Sequence, residues 1–327
     1  MTSARLSALA PYAVLPVLAL VTLPTMAFST WVTLTLAGLA MGMLLFLMAS
    51  GLTLIFGLMD VLNFAHGAFI TLGAYVAVTA LGAMSGWMNA DSLGLNLLAL
   101  AVAVVVAMAA GGLAGVVFER VIVRRVYGGH LRQILITVGG LIVAEQLFVV
   151  FWGPDTLPLA KPLTLRGSLT FAGVAIEKYR LLCLALGLAV ALAMQLILTC
   201  TRIGLLVRAG VENREMVEAL GYRVRRLFVA IFAAGTALAA LGGVMWAQYQ
   251  EVVTARIGSD LTILVFIVLI IGGLGSVGGC FVGAILVGLV ANYAGFLLPK
   301  LALGSNIALM VIILMWRPRG LFPVAKW

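Results

Sequence analysis

The chain reads as a succession of long apolar runs separated by short polar stretches. Ten runs stand out, at roughly 12–29, 33–57, 63–84, 96–118, 133–152, 181–200, 227–247, 261–274, 277–298 and 302–316. Within each run the apolar residues are continuous rather than alternating, which predicts helices and not half-buried strands. About 20 apolar residues in a helix cross the roughly 30 Å of bilayer hydrocarbon. Backbone groups in lipid must be satisfied within the protein, so the expected fold is an all-α, polytopic transmembrane helical bundle. Residues 1–327 are read as one such domain of about ten spans. Arg5, the apolar run after it and the "TMA" before residue 28 could instead form a cleaved signal peptide, leaving nine spans. The length of the run favours a retained helix.

Composition agrees: 64% of residues are hydrophobic and 9% charged, against about 25% charged in a soluble chain. The net charge of +9 changes the picture only through its placement. Arg5 precedes the first run. Arg120, Arg124, Arg125 and Arg132 lie between the fourth and fifth, and Arg202, Arg208, Arg214, Arg223, Arg225 and Arg226 between the sixth and seventh. Arg317, Arg319 and Lys326 follow the last. Lys161, Arg166, Lys178, Arg180, Arg256 and Lys300 remain for the other side. Positive residues concentrate in cytoplasmic loops, so this distribution predicts both termini cytoplasmic and calls for no nucleic-acid partner. Cys183, Cys200 and Cys280 lie in or near apolar runs without CxxC spacing, and read as packing residues.

Two runs are interrupted. In "GLTLIFGLMDVLNFAHGAF" (51–69), Asp60, Asn63 and His66 break an apolar stretch. In "LTILVFIVLIIGGLGSVGGCFVGAILVGLV" (261–290), glycines surround Leu274 and Ser276 after a run of about half a membrane thickness. Paired Gly-interrupted segments point to a transport pathway. Ordinary turns near the cytoplasmic face are the alternative, and the charge distribution puts Asp60 there. Asn63 reads as an N-cap of the third span or as a substrate contact, with His66 bonded to a carbonyl. Glu145 lies inside the fifth run, where an ionisable group is costly and faces a cavity or a partner. The candidate pathway residues are Asn63, His66, Gly67, Glu145, Gly273 and Gly275. Small residues four apart (Gly38 and Gly42; Gly111 and Gly115; Gly275, Gly279 and Gly283) predict close helix packing.

The longest cytoplasmic loop, "TRIGLLVRAGVENREMVEALGYRVRR" (201–226), has apolar residues at helical spacing and the i,i+4 pairs Arg208–Glu212 and Arg214–Glu218. Gly221 is placed to end that helix. Glu212, Glu215 and Glu218 favour a groove on another protein over an anionic lipid surface. No GxxxxGK[ST], HExxH, GxSxG or Cys/His cluster occurs, so the residues predict no enzyme, no metal and no cofactor.

The segments "GLTLIFGLMDVLNFAHGAFITLGAY", "ILITVGGLIVAEQLFVVFWG", the loop 201–226, "GGLGSVGGCFVGAILVGLV" and "WRPRGLF" resemble the permease subunit of branched-chain amino acid ABC importers, specifically the high-affinity H-type permease. They run from 51 to 322, most of the chain, with an extra first span beyond the shorter family members. The resemblance implies two ATPases that bind ATP, a second related permease, a periplasmic binding protein and a place in the bacterial inner membrane. It implies that 201–226 is a coupling helix seated in an ATPase groove, through Gly204, Arg208, Ala209, Glu212, Asn213, Ala219 and Gly221. The binding protein would then meet the loops near 85–95, 153–180 and 248–260. Leucine, isoleucine and valine are the implied substrates, with urea, short amides and other amino acids within the same family. An ion-driven secondary transporter using Glu145, or a structural or redox membrane subunit, are the readings from other classes.

Overall fold

A computed structural model of the chain describes residues 14–16, 18, 22–171, 173–201, 204–206, 209 and 223–322. Within these residues it is an all-α, multi-pass bundle. The long helices are α1 Phe28–Met59, α2 His66–Ala83, α3 Leu93–Val121, α4 His130–Trp152, α5 Lys178–Cys200, α6 Val224–Gln250, α7 Ile257–Gly272, α8 Val277–Leu297 and α9 Ala302–Trp316. The first six and α8 are long and apolar enough to cross a membrane, while α7 and α9 are shorter apolar helices. Nine of the predicted spans therefore have a helix, with ends moved by a few residues. The run predicted at 12–29 lies largely outside the described residues.

Burial sorts the helices into two shells. In α1 every residue from Gly42 to Thr53 is buried, as expected of a helix that is apolar all round. α8 packs along α1, α6 packs against α1, α2 and α3, and α7 packs on α8 and α2. By contrast α3, α4 and α5 turn Leu113, Leu135, Val150 and Leu192 outward. An apolar face left exposed on a membrane helix meets lipid, where it carries no penalty.

Glycine sets the spacing of the inner shell. A Cβ on Gly42 would stand 2.9 Å from the Ala284 carbonyl on α8, and one on Gly115 2.0 Å from Thr236 Oγ1 on α6. A Cβ on Gly279 would stand 2.1 Å from the Gly272 carbonyl. These small residues are thus points of close helix approach, to backbone at Gly42 and Gly279 and to a side chain at Gly115. Gly51 meets Gly235 and Gly242 meets Met48, which makes α1 and α6 antiparallel. Of the cysteines, Cys183 and Cys280 are buried in this packing, whereas Cys200 is exposed and packs no core; all three are free thiols.

At the end where α2 stops and α3 starts, three loops are stitched together. Asn96 donates to the Trp87 and Ala90 carbonyls (2.7 and 3.0 Å) and accepts from Thr164 N–H and O–H (2.9 and 2.8 Å). Leu157 and Pro158 pair antiparallel with Val253 and Val252. Ser168–Phe171 and Val174–Glu177 form a small hairpin ahead of α5.

Candidate translocation site

The chain leaves α1 through Asp60, a left-handed residue (φ 52°) whose N–H donates to Phe56 O at 2.9 Å. Residues 61–65 are not helical, yet Val61, Asn63 and Ala65 are fully buried. Peptide groups in such a place need partners. Leu62 N–H donates to Gln133 Oε1 (3.3 Å) and Phe64 N–H to Thr137 Oγ1 (3.1 Å), both from α4. Phe64 also stacks on Phe266 of α7, centroids 4.5 Å apart. Neither Gln133 nor Thr137 was predicted as functional. The signal was present: two polar residues four apart within one apolar run.

The predicted cap at Asn63 is not formed. The N-cap of α2 is Ala65, with no side-chain cap bond, and Asn63 offers only its carbonyl, to His66 N–H at 3.2 Å. Asn63 lies two residues too far upstream for its side chain to serve the free N–H groups of the first turn. Both atoms of its buried amide lack a hydrogen-bond partner. His66 is the first residue of α2 and is fully packed, with Nε2 2.9 Å from the Met48 carbonyl of α1. A carbonyl only accepts, so Nε2 carries the proton, and Nδ1 is left without a partner.

The first turn of α2 meets the first turn of α7. A Cβ on Gly258 would stand 1.9 Å from Gly67 O, and one on Gly67 2.4 Å from Thr262 Oγ1. Gly258 N–H donates to Thr71 Oγ1 (3.0 Å), and Thr262 O–H donates to Gly258 O (2.7 Å). Beside them Ser259 O–H donates to the carboxylate of Glu145 on α4. Because α1 and α6 are antiparallel, the segments leading into α2 and α7 come from opposite ends of the bundle. Both helices thus begin inside it, with Asn63, His66, Gly67 and Glu145 brought to one region. Gly258, Ser259 and Thr71 complete that region, and sequence reasoning missed them because their partners are distant in the chain.

Gly273 and Gly275 are not part of it. They lie at the far end of α7, about 24 Å along a 16-residue helix. Both have positive φ (101° and 83°), and Ser276 caps α8 by accepting Gly279 N–H at 3.1 Å. Gly275 touches Gly57 near the end of α1, so the two sequence interruptions meet there. The segment 317–322 closes the same end: Leu321 and Phe322 N–H donate to Ile271 O (2.9 Å) and Gly272 O (3.0 Å). These are free carbonyls of α7's last turn, satisfied by a distant strand of chain.

Comparison with known proteins gives the family. The model of the branched-chain amino acid transport system permease component matches residues 34–316. The chain belongs to that family. It is 29% identical over 294 residues to the high-affinity branched-chain amino acid transport system permease protein BraD of Pseudomonas aeruginosa, covering 87% of this chain and 93% of the relative. Against the permease protein LivH of Escherichia coli K12 the identity is 27% over 291 residues, covering 87% and 92%. A probable LivH of Methanocaldococcus jannaschii is 25% identical over 277 residues, covering 83% and 85%. No solved structure matches the chain.

In this permease, the loop between α5 and α6 is described only at its ends. Gly204 follows α5, its N–H donating to Thr201 Oγ1 at 3.3 Å, and Ala209 is half-buried. Arg208, Glu212, Asn213, Ala219 and Gly221 lie outside the described residues. At the opposite end, Lys161 is 9% exposed and bonds to Glu177 and to Glu251 (3.0 Å), above the rings of Tyr179 and Tyr249. Burial alone would lower its pKa; the hydrogen bonds and charges of the two glutamates outweigh that and hold it above the ordinary lysine value.

Proposed function

We propose that this chain is the inner-membrane permease subunit of an ATP-driven importer of branched-chain amino acids. Its partners are two ATPase subunits, a second related permease and a periplasmic binding protein. In this reading the chain crosses the bilayer about ten times with both termini cytoplasmic, and binds no cofactor itself. The family match supports the transport role. The observation that carries the site is the meeting of the α2 and α7 first turns beside Glu145. Helix N-termini carry partial positive charge and discontinuous membrane helices direct theirs at anionic substrate groups. The region therefore suits a zwitterion, with carboxylate toward the helix starts and ammonium toward Glu145.

The binding protein delivers substrate to the face built by the loops near 85–95, 153–180 and 248–260, which Asn96, Lys161 and the Leu157–Val253 pairing tie together. Loop 201–226 couples the ATPases to α5 and α6. ATP binds one arrangement of the ATPases better than the other, and that difference shifts the permease between outward and inward access.

Affinity purification from the native membrane tests this reading. Recovery of two ATPases and a second permease, with ATP-dependent leucine uptake in vesicles, is expected. Deleting 208–220 is expected to release the ATPases. Uptake without ATP that stops in Glu145→Gln would replace the reading with an ion-driven transporter. Uptake of urea but not leucine would move the substrate class.

A further inference from the structure

We propose that a furrow between the inner ends of α3 and α6 binds the phosphate of an anionic phospholipid. The furrow has a volume of about 770 Å³ and is lined by Arg120, Arg223, Val224, Arg225, Arg226 and Val229. All four arginines are exposed, and none forms an ion pair with a described residue. Glu119, next to Arg120, is fully buried and accepts the Tyr127 hydroxyl at 2.6 Å instead.

Among the described residues the grouping has no counter-charge. Arg223 is the N-cap of α6, Arg225 and Arg226 follow in its first turn, and no acidic residue is there. A helix N-terminus favours anions and disfavours cations. The tendency of cytoplasmic loops to be basic accounts for the number of arginines. It does not account for four guanidinium groups around one furrow at the positive end of a helix. A phosphate removes that repulsion, and guanidinium forks match its oxygens.

The surroundings select a lipid as its carrier. On α3, Leu113, Val117 and Val121 are 69%, 61% and 49% exposed and share a stripe with Arg120. On α6, Ala230 and Ala234 follow Arg226 at four-residue spacing and are also exposed. The arginines thus stand at the ends of helices whose exposed faces beyond them are apolar. α3 has 29 residues, about 43 Å of helix, enough to reach both headgroup layers. Basic pockets between membrane helices on the cytoplasmic side are sites for anionic headgroups. Only the choice of the inner leaflet rests on the orientation proposed above.

Native mass spectrometry of the purified assembly, titrated with phosphatidylglycerol or phosphatidylcholine of identical acyl chains, tests the site. Wild type is expected to retain phosphatidylglycerol in preference. An arginine near an anionic surface contributes roughly fivefold, so Arg120→Gln with Arg225→Gln is expected to weaken phosphatidylglycerol binding about 25-fold. Arg166→Gln with Arg256→Gln, at the other end, is expected to leave it unchanged, and Arg120→Lys with Arg225→Lys to keep most of it. Equal retention of the two lipids, or undiminished binding by the double Gln variant, overturns the proposal. So does full displacement of phosphatidylglycerol by inorganic phosphate, which would make the ligand a free anion. Loss of a co-purifying protein with lipid binding unchanged would make the furrow a protein contact instead.

Discussion

Replacing Gly258 by alanine tests whether the α2–α7 contact is structural to the transport site. The added Cβ would lie 1.9 Å from Gly67 O and 2.5 Å from both Gly67 C and Thr71 Oγ1. Ordinary contact begins at 3.4 Å, so the two first turns must part by about 1.5 Å, and the obstacle is backbone rather than a side-chain tip. Overpacking of this kind costs about 1–3 kcal/mol. Parting the turns also breaks the Gly258 N–H bond to Thr71, worth about 1 kcal/mol. We expect a loss of about 2–4 kcal/mol in unfolding titrations in mixed micelles, together with a large loss of uptake in reconstituted vesicles. Gly278→Ala is the matched control: nothing lies within 4 Å of a Cβ there, and alanine is the better helix former by up to about 1 kcal/mol. Equal stability and uptake in the two variants would refute the reasoning, because the close approach would then carry neither packing nor function.

Three further outcomes are expected. Thr137→Val removes the acceptor of Phe64 N–H while keeping the volume, and should cost about 1–3 kcal/mol for the orphaned donor; no change in unfolding would mean that water serves that group. Lys161→Met should cost about 1.5–3 kcal/mol for the lost charge-assisted bonds. Because the folded-state pKa of Lys161 is raised, its contribution is full below 10.5 and lost as pH rises above that value; the difference between wild type and variant in a pH series of unfolding titrations should therefore shrink only at strongly alkaline pH. Gly320→Ala places a Cβ 2.6 Å from Gly273 Cα at a position with φ +83°, and should expose the 317–322 segment to limited proteolysis.

The helices were legible because lipid leaves only one economical pattern, a continuous apolar run, and nine of the runs coincide with helices. The places of interruption were legible too, at 60–65 and 273–276, because a polar or glycine residue in such a run has few other reasons to be there. What the interruptions hold onto was not. Glu145 was visible as a costly charge, but its partner Ser259 is 114 positions away, and periodicity carries no information at that distance. Asn63 was read as a local cap because caps are the commonest local use of asparagine. The chain instead starts α2 two residues later and leaves the amide buried without a partner. The Lys161 cluster joins the connection between α4 and α5 to the one between α6 and α7, and left no mark in the pattern of either.

The bond between residues 321–322 and the end of α7 has a consequence for the order of assembly. α7 is synthesised and delivered to the membrane before α8, α9 and the 317–322 segment exist. Until Leu321 and Phe322 have been made, Ile271 and Gly272 lack the donors they have in the finished fold. The last turn of this short helix is therefore completed late, after α9 has been inserted and has brought the segment back to it. A chain ending at residue 320 would keep α9 and leave that turn open, detectable as an Ile271→Cys thiol that reacts with a polar thiol reagent in the shortened chain and not in the full one.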